Sequence, residues 1–347
     1  MTGFIADHPE IEIASSVVSM PESVRAQFYN LFNGARGAFL QERFPEHLDK
    51  SAVLLGRYRK AEEKLQGLMS LEGAPTASEL ERFLQDPKGT FARELFDPLF
   101  DLLKGKESVE TFEKKASDKV EALAPAVFRG GYEKWAILSL VDLLEAEKAF
   151  RVNVRNLHAG ERTKSTAHAP FEEVPAPQES ASFLFSQSRN AIFAVPDLIV
   201  RSCRLNRFVG IRSEFREGLH HAWNASQERE WHSVDTELLI LLQSGPTLVY
   251  MAERPESVAL VADVEKCARP DLVLWCRDTS VRTQRESLER AAQVDRRLKP
   301  LKGSYMVASD PWPESCGSEQ TAGIRLLTVG YDIDRLRPVV DALAATT

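Results

Sequence analysis

Residues 194–212 read AVPDLIVRSCRLNRFVGIR, and they give the first indication of the fold of the second half of the chain. It lies across two short apolar runs, Ala191–Val200 and Arg207–Ile211, which are rich in β-branched residues. Runs of this length and composition favour strands over helices. We therefore predict two strands here, one after the other along the chain.

Four later runs have the same character and extend the predicted sheet: Thr247–Ala252, Asp271–Cys276, Ser304–Ala308 and Ile324–Val329. Helical patterns separate several of these runs, at Glu214–Leu242, Glu256–Ala268, Arg282–Leu298 and Ile333–Ala345. Strands that alternate with helices are typical of a sheet with helices packed on its faces. The sequence thus predicts an α/β domain with a mixed, largely parallel sheet.

The N-terminal half has helical patterns instead. Ser19 and Glu22 have the spacing of a capping box, with Pro21 in the first turn. The apolar residues that follow recur at spacings typical of one helix face: Val24, Phe28, Leu31, Phe32, Phe39, Leu40 and Phe44. Further helices are predicted after a second capping box at Thr76–Glu79 and at about 90–104, 108–124 and 131–149. The predicted fold class is α+β overall, a helical domain followed by the α/β domain.

A change of composition separates the two halves. From Asn156 to Ala181 the chain is rich in Gly, Ser, Thr, Pro and His, and Pro170, Pro175 and Pro177 disfavour regular structure. We predict a linker or long loop in this segment. The predicted organisation is a helical domain over 1–155, a linker over 156–181 and an α/β domain over 182–347.

Length and charge restrict the classes of function. The chain has 347 residues, enough for two domains, and its formal net charge of -7 argues against a chain-wide polycation that coats nucleic acid. Any contact with DNA or RNA therefore has to be local. The N-terminus lacks the basic start and apolar run of a signal peptide, and no stretch has the ~18 uninterrupted apolar residues of a membrane span. We expect a soluble, cytoplasmic protein with no membrane partner.

Pro196 and Asp197 precede one apolar run, and Glu214 and Arg216 follow the next. Over residues 190–252 this arrangement resembles the core of the PD-(D/E)XK nucleases, in which an aspartate after a proline and an acid two residues before a lysine bind a divalent metal. The resemblance implies that Asp197 and Glu214 are catalytic residues that bind Mg²⁺. It also implies that Arg216 contacts phosphate at the lysine position, and that the activity is a metal-dependent endonuclease, a phosphodiester hydrolase.

The lysine of that pattern has no literal counterpart in this chain. No lysine occurs between Lys164 and Lys266, and arginine is not readily deprotonated or tuned as a substitute. The resemblance therefore leaves two alternatives open. One is an active nuclease, and the other is an inactive descendant that contacts the phosphodiester backbone of DNA or RNA.

Arginines are concentrated in the same region, among them Arg201, Arg204, Arg207 and Arg212. The planar fork of the guanidinium group suits phosphate oxygens, so we predict that these four residues bind nucleic acid. The alternative interpretation is a solvated strand edge that charge protects from pairing with another chain.

Two other interpretations are open. Acids follow the later strands at Glu253, Asp278, Asp310 and Asp332. Because ligands bind beyond the carboxyl ends of parallel strands, these acids are candidates for a Toprim-like or nucleotide-handling site, although acids also cap the helices that follow. The other interpretation is a non-catalytic interaction or scaffold subunit of a larger intracellular complex, in which the helical domain binds a partner protein.

Overall fold

The computed structural model describes residues 2–13, 18–74, 76, 78–156, 173–180, 196–213, 245–261, 269–277, 284–312 and 323–345. Their helices are α1 (Thr2–Asp7), α2 (Glu22–Arg43), α3 (Pro45–Met69), α4 (Ser78–Gln85), α5 (Pro87–Glu94), α6 (Phe96–Leu103), α7 (Val109–Leu143), α8 (Pro255–Val261), α9 (Gln284–Leu298) and α10 (Arg337–Ala344). A 3₁₀ helix over Ile333–Leu336 precedes α10. The strands are β1 (Glu12–Ile13), β2 (Val18–Ser19), β3 (Ala146–Asn156), β4 (Glu173–Glu179), β5 (Leu198–Ser202), β6 (Arg207–Arg212), β7 (Thr247–Ala252), β8 (Leu272–Arg277), β9 (Ser304–Ala308) and β10 (Ile324–Thr328).

The chain divides into two compact units. The first comprises Met1–Gly56 and Ser78–Gly131, and the second comprises Arg57–Ala77 and Tyr132–Thr347. The large sheet belongs to the second unit. The predicted order of a helical region followed by a mixed sheet is confirmed, and the fold class is α+β. The predicted domain limits at residues 155 and 182 stay a prediction.

Aromatic side chains fill the core of the first unit. The rings of Phe83 and Phe128 lie 5.6 Å apart in an edge-to-face arrangement, and Phe91 lies 5.7 Å from Phe83. All three side chains are buried. The helix start predicted at Ser19 is wrong in detail, because α2 begins at Glu22 without a side-chain cap and Ser19 pairs with β1 as part of β2.

In the described part of the second unit, eight strands form one sheet with the order β10-β9-β8-β7-β6-β5-β3-β4. Five of its described strand pairs, from β4 through to β8, are antiparallel. The pairs β8–β9 and β9–β10 are parallel. The expectation of a largely parallel sheet is therefore wrong. A physical reason lies between β5 and β6, where the turn over residues 203–206 is too short for the crossover that a parallel pair requires.

Two strands at one edge of the sheet lie where the sequence predicts other structure. α7 ends at Leu143 and β3 begins at Ala146, so the helix predicted over 131–149 extends too far. β4 contains Pro175 and Pro177, which were expected to disfavour regular structure. Because β4 is an edge strand, it needs ladder hydrogen bonds on one side only. The spacing of two puts both missing N–H groups on the same side of the strand.

The central strands match the predicted runs more closely. β7 and β9 coincide with the predictions at Thr247–Ala252 and Ser304–Ala308. Their side chains are mostly buried, as expected for strands covered on both faces. The helices predicted over Glu214–Leu242 lie outside the described residues. None of the described helices combines the length and the apolar character needed to cross a membrane.

Candidate functional site

Asp197 and Arg212 form a buried ion pair at one end of the β5–β6 hairpin. Asp197 directly precedes β5 and Arg212 is the last residue of β6. The Asp197 N–H donates to the Ile211 carbonyl at 2.9 Å, which brings the two side chains together. Arg212 Nη1 donates to Asp197 Oδ1 at 3.0 Å, and each side chain is only 2 % exposed. The predicted first acid is therefore already paired with a cation.

Ser213 and Lys134 complete this buried polar cluster. Asp197 Oδ2 accepts hydrogen bonds from the Ser213 N–H at 2.5 Å and from Ser213 Oγ at 3.0 Å. Lys134, on α7, donates from Nζ to Ser213 Oγ at 2.8 Å, and its side chain is fully buried. We call Lys134, Asp197, Arg212 and Ser213 the Asp197 cluster. It places two basic side chains around one carboxylate.

Lys134 is a residue of the Asp197 cluster that sequence reasoning missed. It is separated from Ser213 by a long stretch of chain, so no motif spacing connects them. The available signal was local, because Glu133 and Lys134 are the charged residues at the start of an apolar helical run. Glu133 has a partner on the sheet too, since its Oε1 accepts a hydrogen bond from Thr247 Oγ1 at 2.9 Å. Charges in an otherwise buried helix face are placed where they can be paired.

In the nuclease pattern an acid precedes the lysine by two residues. If Arg212 took the place of that lysine, the acid would fall at position 210, which is Gly210. A Cβ added to Gly210 would lie 2.1 Å from Val258 Cγ1 and 3.1 Å from Pro196 Cγ. No side chain fits there without displacement of its neighbours. Among the described residues, Arg212 is the cation that contacts Asp197. The position two residues before Arg212 is Gly210, so the acid of the nuclease pattern is absent there.

The Asp197 cluster does not fit a Mg²⁺ site as described. Both carboxylate oxygens of Asp197 accept hydrogen bonds, and two cations already lie in the cluster. Mg²⁺ requires several free oxygen ligands in octahedral geometry. In the part of the chain that the structure describes, no three His, Cys, Asp or Glu side chains group as metal ligands. Glu214 and Arg216 lie outside the described residues, so their predicted roles stay predictions.

The four arginines predicted to bind nucleic acid have different surroundings. Arg212 is buried in the Asp197 cluster and does not reach the surface. Arg201 hydrogen-bonds Asn206 and lies 5.2 Å from the centre of the Phe208 ring, which holds its guanidinium along the hairpin. Arg204 and Arg207 remain as candidates for a surface contact, and both line the same cavity.

This cavity has a volume of about 470 Å³ and is lined by three basic side chains, those of Arg204, Arg207 and Lys302, together with Asp271. We call it the basic cleft. Arg204 Nη2 lies 2.6 Å from an oxygen of Asp341, whereas Arg207 has no ion-pair or hydrogen-bond partner among the described residues. The cleft therefore combines one guanidinium held by an ion pair with a second, that of Arg207, which has no such partner among the described residues.

Asp271 lies at the wall of the basic cleft. Its Oδ2 accepts a hydrogen bond from the Met251 N–H at 2.6 Å. Burial raises the pKa of Asp271, and the Met251 N–H, Lys302 and Arg207 oppose the rise. The carboxylate is thus held in a setting that favours its neutral form more than water does.

The acids that follow the later strands do not gather at one edge of the sheet. β7 is antiparallel to β8, whereas β8, β9 and β10 are parallel to one another. The carboxyl end of β7, which Glu253 follows, therefore lies at the opposite end of the strands from the carboxyl ends of β9 and β10, which Asp310 and Asp332 follow. Asp278 is outside the described residues. A Toprim-like site that includes Glu253 is wrong because it assumed parallel strands throughout.

The functional interpretation of the Asp197 cluster and the basic cleft rests on the side chains that form them. The cluster is buried and internally paired, whereas the cleft is lined by Arg207, which has no ion-pair or hydrogen-bond partner in the part of the chain that the structure describes but acts electrostatically on Asp271. Comparison of the chain with protein-family models, curated proteins and solved structures found no match.

Proposed function

We propose that this chain is a cytoplasmic nucleic-acid-binding protein whose nuclease-like core is inactive and whose basic cleft holds phosphodiester backbone. The observation that carries the proposal is the meeting of Arg204, Arg207 and Lys302 around one open cavity. Two of these are arginines that the sequence marks as phosphate contacts. Guanidinium groups bind phosphate oxygens through two parallel N–H donors, and Lys302 adds a point charge.

The inactive core is supported by the Asp197 cluster. Arg212 neutralises Asp197, and packing of Gly210 against Val258 leaves no room for an acid two residues before Arg212. A catalytic role for Asp197 with Glu214 and Mg²⁺ would require the carboxylate to exchange Arg212 for the metal. Such an exchange would leave a buried arginine without its counter-charge, which is energetically costly.

Charge reversal of Arg207 is expected to weaken binding to single-stranded and double-stranded DNA and to RNA by about tenfold or more. One charged hydrogen bond contributes about 1.5–3 kcal/mol, and tenfold corresponds to about 1.4 kcal/mol. Fluorescence anisotropy of labelled oligonucleotides, with wild type and Arg207→Glu over a series of salt concentrations, measures the effect. Loss of one phosphate contact should also reduce the salt slope by about one.

The matched control for this experiment is Arg25→Glu, which makes the same charge change at an exposed position of α2. If Arg25→Glu and Arg207→Glu weaken binding equally, net charge and not the cleft is responsible. If wild type binds none of the three nucleic acids, the proposal is wrong. A non-catalytic interaction subunit is then the better description.

Asp271→Asn is expected to strengthen nucleic-acid binding at neutral pH. The substitution removes a negative charge from the cleft and keeps an oxygen that can accept the Met251 N–H. In wild type, binding should tighten as the pH falls through the raised pKa of Asp271, because the carboxyl group becomes neutral. Anisotropy at several pH values should show a smaller pH dependence for Asp271→Asn than for Asp97→Asn, an exposed control on α6. Equal pH dependence in the two variants would contradict a role for Asp271.

A further inference from the structure

A second pocket, of about 220 Å³, lies between residues 57–64 of α3 and residues 135–142 of α7, within the second unit. Tyr331 and Ile333, which follow β10, close one side of it. It shares no lining residue with the basic cleft. Its chemistry combines aromatic rings with exposed cations.

The aromatic part of this pocket is rigidly held. Trp135 stacks on Tyr132, with ring centroids 5.5 Å apart and an interplanar angle of 25°. Tyr331 packs edge-on against Trp135 at 5.1 Å and against Tyr132 at 5.5 Å. Tyr132 and Trp135 are buried, whereas Tyr331 is only half-buried. The Tyr331 ring is therefore a preoriented apolar surface at the pocket wall.

The cationic part comes from one face of α3. Arg57, Lys60 and Lys64 follow one another at spacings of three and four, which places them side by side along the helix. Lys64 Nζ lies 2.6 Å from an oxygen of Asp142. Arg57 and Lys60 are exposed and have no ion-pair or hydrogen-bond partner among the described residues. The pocket thus has, beside an aromatic wall, two cations that nothing in the described part of the chain pairs.

We propose that this pocket binds a single nucleotide unit, with the base against Tyr331 and the phosphate on Arg57 and Lys60. Bases stack on aromatic side chains with little regard to their identity, and basic side chains next to such rings hold the phosphate. Pockets for drug-sized ligands have volumes of about 300–1,000 Å³. At about 220 Å³ the pocket suits one nucleotide portion, either a free nucleoside monophosphate or the terminal nucleotide of a single strand.

Calorimetric titration of the full chain with 5′-AMP, adenosine and inorganic phosphate tests this proposal. We expect 5′-AMP to bind at least tenfold more tightly than either fragment, because each fragment loses stacking or ion pairing. Arg57→Ala, Lys60→Ala and Tyr331→Ala should each weaken 5′-AMP binding by about tenfold. Lys114→Ala, an exposed position of α7 in the first unit, should leave it unchanged.

Two further arms identify the source of the nucleotide. A ten-nucleotide single strand is titrated with and without a 5′ phosphate in the Arg207→Glu variant, and tighter binding of the phosphorylated strand than of both the unphosphorylated strand and 5′-AMP supports a strand end as the ligand. Tighter binding of 5′-AMP supports a free nucleotide. The proposal is overturned if neither probe binds, or if the double variant of Arg57 and Lys60 to alanine binds both as wild type does. Arg207→Glu should not affect 5′-AMP binding, so failure here is distinguishable from failure of the basic cleft.

Discussion

Replacing Asp197 with alanine is expected to lower the free energy of unfolding by about 3–5 kcal/mol. The substitution leaves the Arg212 guanidinium buried without the carboxylate that neutralises it at 3.0 Å. It also removes the acceptor for the Ser213 N–H and hydroxyl group. Urea unfolding monitored by circular dichroism measures this change in the free energy of unfolding. The effect should be large because a lone buried charge is far costlier than a lost surface pair.

Asp341→Ala is the matched control, because Asp341 pairs with Arg204 at 2.6 Å but is 61 % exposed. Its removal should cost less than about 1 kcal/mol. If Asp197→Ala is too unstable to purify, the double variant Asp197→Leu with Arg212→Met removes both charges and should recover much of the loss. Equal, small effects for Asp197→Ala and Asp341→Ala would show that the buried pair does not stabilise the fold.

The same site has a functional outcome that decides whether the core is inactive. Wild type incubated with supercoiled plasmid in Mg²⁺ or Mn²⁺ should leave the plasmid intact, because the Asp197 carboxylate is paired with Arg212 and is not free to bind the metal. Nicking that disappears in a folded Asp197→Asn variant would mean that Asp197 is catalytic. The proposal of an inactive core would then be wrong, and the protein would be the metal-dependent nuclease that the sequence pattern predicts.

Replacing Gly210 with alanine is expected to lower the free energy of unfolding by about 1–3 kcal/mol. The new Cβ would lie 2.1 Å from Val258 Cγ1, well inside contact distance. Gly210 is on β6 and Val258 is on α8, so relief requires the Val258 side chain or its helix to shift. Combining Gly210→Ala with Val258→Ala should cost less than the two single changes together.

Gly34→Ala is the control, and it is expected to raise the free energy of unfolding instead of lowering it. Gly34 lies inside α2, and a Cβ added there meets nothing within 4 Å. Alanine should stabilise this helix by about 0.5–1 kcal/mol, since glycine costs that much in a helix interior. If Gly210→Ala is as well tolerated as Gly34→Ala, a Cβ fits at position 210, and the steric argument against an acid there fails.

Local patterns in the sequence predict much of the second unit. β7 and β9 lie where their apolar runs predict them, because a short β-branched run already indicates burial and an extended backbone. The order of a helical region followed by a mixed sheet follows from the same signals. The end of α7 at Leu143 was missed, because apolar residues continue past it into β3 and blur the change of period.

The candidate site divides in the same way. Asp197 at the start of β5 and the arginines around β6 are visible as residue types at particular positions in the chain. Lys134 beside Ser213, and Lys302 beside Arg204 and Arg207, are not visible in this way. These side chains come from elements far apart in the sequence, so no periodicity or motif spacing connects them.

The sequence alone predicted the helical first half and the central strands β5 to β9, but not the strands β3 and β4. Only the three-dimensional structure shows that most of the described strand pairs are antiparallel, that Asp197 is paired with Arg212, and that Arg207 lines the basic cleft. The physical reason is that propensity and periodicity act over a few residues. The pairing of charges instead depends on which strands are neighbours, and that order results from the packing of the whole sheet.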